Sequence, residues 1–281
     1  MSGNPPASGE PRPAGLRDMA VRVATALVLG TVVVVAVVWG RELGLGIVIS
    51  VIAAFAVAEF YAIARREHRA PNEVFGVIAT AAMPLAAALW GMPGLTSVVT
   101  ALVVASLLWH LAFRQARTSD TAATVFGAVY VGFMLSHLVL MRRLDEGTLL
   151  VMATILSVWA NDVFAYLIGS TMGRHRMVPA ISPRKSWEGF AAGTAFTVAV
   201  WMVLYFVADT GLSLAWHAAA GVAVSVAAVV GDLAESRLKR EAGVKDSGRL
   251  LPGHGGFLDR FDSLILVSVV AFYILIWAGA R

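Results

Sequence analysis

Cysteine is absent from this chain of 281 residues. Disulfides, thiolate metal sites and cysteine nucleophiles are therefore excluded, and any metal must be held by oxygen or imidazole. Charge is scarce as well: Asp, Glu, Lys and Arg make up 14% of the residues, where soluble globular proteins carry about a quarter. With hydrophobic residues at 58%, that shortage excludes a soluble globular domain and implies an integral membrane protein. No Gly-x-x-x-x-Gly-Lys-Ser/Thr occurs, so a P-loop is missing, and no repeat of solenoid period is visible.

What the chain does have is long apolar runs. A hydrocarbon core about 30 Å thick takes about 20 apolar residues per helix. Polar interruptions divide the sequence into nine such segments, at approximately 20–39, 44–64, 74–90, 95–113, 122–141, 148–170, 189–208, 214–234 and 264–279, which predicts an all-α polytopic membrane protein. Residues 1–18, rich in Pro, Gly and Ser, read as a disordered cytoplasmic tail, and the apolar run after them is too long for a signal-peptide core. Residues 19–145 then hold five spans, and 146–281 hold four more with two long polar loops, 171–188 and 235–263. Lys and Arg accumulate on the cytoplasmic side of short loops. Assigning alternate loops to one side gives that side all but four of the 22 Lys and Arg, with Arg41, Arg142, Arg143 and Arg281 opposite. The N-terminus and both long loops are thus expected at the cytoplasmic face of the plasma membrane. For Arg65, Arg66, Arg69, Arg114 and Arg117, orienting the protein is a sufficient role.

The second long loop is dense in cations, carboxylates and glycine. At its start Asp232, Glu235, Ser236 and Lys239 fall at i, i+3, i+4 and i+7 of a continuing helix and share one face. At its end Asp259 and Asp262, three apart, also project to one side of a helix. Asp232, Asp259 and Asp262 can then converge on a magnesium ion, which favours one or two carboxylates with water and phosphate oxygens. Between them Gly253-His254-Gly255-Gly256 reads as a phosphate cradle, with Lys239, Arg240, Lys245 and Arg249 supplying positive charge and His254 ordering the turn. In the first long loop, Ser182 is expected as N-cap and Pro183 as first residue of a helix whose opening turn carries Arg184, Lys185 and Ser186, a natural phosphate site. Inside the sixth span Asp162 should face a polar cavity, since a charge at the bilayer centre costs about 2.5–3.5 kcal/mol on insertion scales. Glu59, followed by Tyr61, raises the same question in the second span.

These residues resemble the phosphatidate cytidylyltransferases, also called CDP-diacylglycerol synthases. That family's signature is filled without a gap by Ser236, Leu238, Lys239, Arg240, Lys245, Asp246, Gly248, Leu251, Pro252, His254, Gly255, Gly256, Phe257, Asp259, Arg260 and Asp262. Asp162 with Ala165, Tyr166, Gly169 and Gly173, and Ser182-Pro183 with Lys185-Ser186-Trp187-Glu188-Gly189, look like its upstream pieces, with Ser186 where Thr is often found. The resemblance covers about residues 159–263. It implies transfer of a cytidylyl group from CTP to phosphatidic acid, giving CDP-diacylglycerol and pyrophosphate for phospholipid biosynthesis. It also implies a magnesium-dependent centre with room for a potassium ion, membrane lipids as surroundings, no nucleic-acid partner, and a homodimer as one possible assembly. On that reading Asp232, Asp259 and Asp262 hold the metal, Lys239, Arg240, Lys245 and Arg260 contact phosphates, and Ser182, Lys185 and Ser186 form a second phosphate site. Asp162, Ser236, Asp246, His254, Gly255 and Gly256 complete the substrate surroundings. The rivals are a polytopic transporter, which shares the many spans and the intramembrane Asp162, and a CTP-dependent lipid kinase. A CDP-alcohol phosphotransferase is disfavoured because its Asp-Gly-x-x-Ala-Arg signature is missing.

Overall fold

The computed structural model describes residues 16–248, 250 and 255–281, with side chains from Val23 onward. Residues 1–15 of the expected tail lie outside the described residues, as do Arg249, Leu251, Pro252, Gly253 and His254. Helix α1 (Leu16–Val38) already includes the last three residues assigned to the tail. It is followed by α2 (Arg41–Arg66), α3 (Glu73–Ala112), α4 (Thr118–Ala128), a π-helical turn over Val129–Phe133, and α5 (Met134–Arg142). The second half comprises α6 (Gly147–Met172), strands β1 (Arg176–Val178) and β2 (Ser182–Ser186), α7 (Trp187–Val207), α8 (Leu214–Glu241) and α9 (Leu258–Ala278).

Among the described residues seven helical segments are long and apolar enough to cross a membrane, the run from α4 through α5 counting as one. A shorter apolar stretch, Val23–Val38 of α1, adds to them. Large apolar side chains such as Leu27, Trp90, Leu111, Phe206 and Trp277 stand exposed around the bundle, as a hydrocarbon solvent allows. The expected third and fourth spans are parts of one 40-residue helix, α3. Gly91 interrupts it with φ 65° and ψ −149°, a conformation glycine adopts readily and other residues do not, and Pro93 follows. The expected junction is therefore present as a break at one residue, not as a loop.

Two arginines from the sparsely charged loops finish helices. Arg142 Nε donates to Val37 O at 3.1 Å, at the end of α1, and Arg143 donates to Ala88 O at 2.7 Å, just before the break in α3. Carbonyls of a last turn lack intrahelical donors, and these guanidinium groups supply them.

In the second half, α6, α7, α8 and α9 pack in sequence, while α9 also meets α2 and α5. Buried side chains hydrogen-bond across α6, α7 and α8: Asn161 donates to Ser225 Oγ at 2.7 Å and to Thr197 Oγ1 at 3.4 Å, and Thr194 bonds Ser225 at 2.8 Å. In an apolar medium such bonds hold helices together where burial alone gives little preference. In the first half, Tyr61 donates its hydroxyl to Thr124 O at 2.7 Å and ties α2 to α4.

The first long loop departs from its expectation. Ser182 does not cap a helix; Ser182–Ser186 is a strand, paired antiparallel with Arg176–Val178 so that Val178 faces Ser182 and Arg176 faces Ser186. The cap is Ser186, whose hydroxyl accepts the Gly189 N–H at 3.2 Å, and α7 starts at Trp187. Both serines can cap, and the later one leaves the earlier residues free to pair as a ribbon.

Candidate active site between α6, α8 and α9

The ends of α2, α6 and α8 and the beginnings of α7 and α9 come together at one end of the bundle. Helix α8 runs seven residues past the expected end of its span, so Asp232, Glu235, Ser236 and Lys239 stand on a helix, as their spacing predicts. Helix α9 begins at Leu258 and carries Asp259 and Asp262 in its first turns. Gly231 sets the distance between the two helices, since a Cβ there would come within 2.7 Å of Asp262 O and 3.1 Å of Ser263 Cα.

The acids fall into two sets. Asp232 pairs with Lys185 of β2 at 2.7 Å and accepts from Ser236 Oγ at 3.2 Å. The side chains of this pair are 23% and 33% exposed, Lys185 and Asp232 respectively, and both border a cavity of about 300 Å³. Asp162, Ser182, Arg184 and Ser186 line it as well, and Asp162 is close enough to Asp232 and Asp262 for their charges to act on one another. Asp162 thus borders a cavity that also holds the charged side chains of Arg184, Lys185 and Asp232. Next to this cavity, and sharing Asp162, lies an apolar groove of about 250 Å³ between α1, α6 and α9, with Leu29, Val33, Val158 and Leu264 along it and Arg260 at its polar end.

Asp259 belongs to the second set. Its Oδ1 accepts from Lys239 Nζ at 2.6 Å, and its carboxylate also takes the N–H groups of Ser247, at 3.0 Å, and Gly256, at 3.0 Å. Lys239 simultaneously pairs with Glu235 at 2.5 Å. Here exposure is much lower: 11% for the Lys239 side chain, 9% for Asp259 and 0% for Glu235. Among the described residues no three acidic or imidazole side chains approach closely enough to hold one cation between them. The reason is directional: Asp259 is turned back by loop N–H groups and Lys239, whereas Asp262, three residues on, lies on the side of Asp232 and accepts the Ser263 N–H at 2.6 Å.

The remaining predicted residues are placed as follows. Arg240 is exposed and donates to Val244 O at 3.1 Å, closing the end of α8. Lys245 and Asp246 are exposed on the loop, and Arg260 is exposed beside the groove. Gly255 adopts φ +83°, which favours glycine, and a Cβ there would stand 3.1 Å from Asp259 Oδ2. His254 lies outside the described residues. Ser186 is buried and occupied as a cap, with Gly169, Gly173 and Gly189 closing around its hydroxyl.

A model of the cytidylyltransferase family matches residues 20–278. The chain belongs to the cytidylyltransferase family. Relatives named phosphatidate cytidylyltransferase include one from Mycobacterium bovis, 37% identical over 191 residues covering 62% of this chain and 61% of that protein. One from Staphylococcus saprophyticus is 40% identical over 157 residues, 56% of this chain and 60% of that protein. One from Bacillus subtilis is 33% identical over 175 residues, 62% of this chain and 65% of that protein. The matched stretch thus spans about three fifths of the length of these relatives. In this cytidylyltransferase-family chain the family match takes in residues 20–158 as well, beyond the stretch where the motifs are legible.

Three residues of the site had little or no voice in the motifs. Glu235 was visible on the α8 stripe but not as the second partner of Lys239. Asn161 stands beside Asp162 and is the centre of the α6–α8 network. Glu59, 4% exposed on α2, accepts from Ser247 Oγ at 2.8 Å and from Leu258 N at 2.9 Å. An acid within an apolar span was the available signal for it.

Proposed function

We propose that this protein transfers the cytidylyl group of CTP to phosphatidic acid, forming CDP-diacylglycerol and releasing pyrophosphate. The observation that carries the proposal is the shared wall at Asp162, where a cavity bordered by the charged side chains of Arg184, Lys185 and Asp232 adjoins an apolar groove reaching along α1, α6 and α9. A water-soluble nucleotide and a bilayer lipid need two such compartments meeting at one point. On this reading a phosphate oxygen of the lipid attacks the α-phosphorus of CTP, the new P–O bond forms, and the bond to the β-phosphate oxygen breaks. The nucleophile is already an anion, so a strong general base is not needed. The protein's task is to hold two repelling polyanions in line.

Lys185, reached from the ribbon, and Ser182 are the proposed nucleotide phosphate contacts, with Ser186 holding their strand through its cap and Lys245 and Arg240 reaching in from the loop. Arg260, at the head of the groove, is the proposed contact for the lipid phosphate. Asp232 and Asp262 offer hard oxygen donors near one another and fit a magnesium ion; Asp259 joins them on release from Lys239. When bound, magnesium would neutralise charge developing on the phosphates. A companion potassium ion and a two-chain assembly belong to the same proposal. So do nine crossings, counting α1 and the two parts of α3 separately, with the N-terminus and the cavity on the cytoplasmic side of the inner membrane.

The test is a reaction of purified protein in detergent with labelled CTP, phosphatidic acid and magnesium. Lipid-linked CMP with pyrophosphate supports the proposal. Label from the γ-phosphate on the lipid would indicate a kinase, and absence of any turnover, with substrate flux in vesicles, would indicate transport.

A further inference from the structure

We infer that Glu59 is a positioning residue, clamping Ser247 and the first turn of α9 from the opposite half of the chain and thereby fixing where Asp259 sits. The inference rests on the cytidylyltransferase reading and extends the site to a helix that reading does not use.

A carboxylate this deeply buried in an apolar helix is costly unless it is hydrogen-bonded. Among the described residues, both groups that donate to Glu59 Oε2 come from far along the chain, the Ser247 hydroxyl and the Leu258 N–H. Leu258 is the first residue of α9, whose N-cap, Phe257, has no side chain able to cap. Helix N-termini leave N–H groups without intrahelical acceptors, and their dipole favours a negative charge nearby. Glu59 meets both needs from outside the helix. Asp259 adds a carboxylate in the first turn and takes the Gly256 N–H just ahead of the cap.

Ser247 pins the two carboxylates together: its N–H goes to Asp259 and its O–H to Glu59. The fit is tight. A Cβ on Gly248 or on Gly256 would overlap the Glu59 carboxylate, and one on Gly256 would also strike Ser247 Oγ. Two glycines of the motif therefore make room for an acid that the motif does not contain. The ring of Phe257 stacks on Phe55 of α2 at 5.0 Å between centroids, four residues before Glu59, which adds an apolar contact to the same junction.

The test uses the full chain, purified in detergent, as Glu59→Ala, Glu59→Gln and Ser247→Ala. Amide exchange at residues 245–248 and 255–260 is followed alongside steady-state turnover. Glu59→Ala should speed exchange in that segment at least about tenfold and lower kcat about 100-fold, the order expected for an ångström-scale misplacement, with KM for CTP within about threefold of the original. Glu59→Gln keeps an oxygen that can accept both protons and should restore protection, with kcat within about tenfold of the original. Ser247→Ala, which loses only the hydroxyl, should fall between the two. Unchanged exchange in both alanine variants overturns the inference, and so does an equal loss of kcat in Glu59→Gln and Glu59→Ala. If Glu59→Ala does not fold, Glu59→Gln and Ser247→Ala decide by the same criteria. Exchange needs no substrate, so a wild-type protein without cytidylyl transfer sinks the functional reading while the clamp is still judged.

Discussion

Two lysine–aspartate pairs draw on α8, one through Asp232 and the other through Lys239, and they are built differently. Lys185–Asp232 borders a cavity, with both side chains partly exposed, and Lys185 reaches it from a two-stranded ribbon. Lys239–Asp259 is walled in, with a third, fully buried partner in Glu235 and two backbone N–H groups on the aspartate. A partly exposed pair gains little from its own attraction and exchanges partners cheaply. Breaking a buried pair strands a charge without solvent and costs far more. The comparison assigns the first pair to substrate handling and, in the second, Lys239 to holding α8 and α9 together, with Asp259 free for the metal only on release from it.

Removing the buried cation tests that assignment hardest. Lys239→Ala removes the cation between Glu235 and Asp259, leaving only backbone N–H groups on the aspartate, and should destabilise the protein by about 3–5 kcal/mol, read as a fall in the melting temperature in detergent. Asp259→Asn should abolish turnover while the protein still inserts and purifies. Near-normal activity in that variant would refute a role for Asp259 at the centre. Melting of Lys239→Ala at the wild-type temperature would erase the distinction between the pairs.

Lys185→Ala should do the reverse, changing stability by no more than about 1 kcal/mol while raising KM for CTP about tenfold or more. A loss of stability comparable to Lys239→Ala would make both pairs structural. Chelation of divalent cations should stop turnover and leave melting nearly unchanged, because Lys185 already balances Asp232. A collapse of the fold on chelation would show that the cation is structural. The smallest effect is expected at Arg117→Ala, on the loop before α4, where the backbone N–H, which alanine keeps, serves Asp120 at 3.1 Å. Activity should change less than about twofold there, within the range of ordinary surface substitutions.

The helical stripe of α8 and the acids opening α9 were legible because both depend on spacing within one element. The polar surroundings of Asp162 followed from the cost of charge in an apolar helix. The orientation of Asp259 was not legible: two aspartates three apart share a helix face, but loop N–H groups that reach only the first of them turn it toward Lys239. The start of α7 was misread because Ser182 and Ser186 both carry a capping hydroxyl, and only the pairing of β2 with β1 decides between them. The surroundings of Glu59 are not legible in the sequence, since its partners lie 188 and 199 residues away and no periodicity spans such a separation. The break in α3 was located from composition, but glycine in an unusual backbone conformation does the work that a polar loop was expected to do.

Gly231 carries a consequence for anyone redesigning this protein. Its missing side chain is matched to main-chain atoms of α9, and main chain cannot swing aside into another rotamer as a leucine would. Even alanine there must act as a wedge, prying the two rods apart along their length and moving every carboxylate mounted on them at once. Tuning the chemistry at Asp232 or Asp262 is a local alteration, whereas position 231 is a spacer whose thickness is shared by the whole assembly.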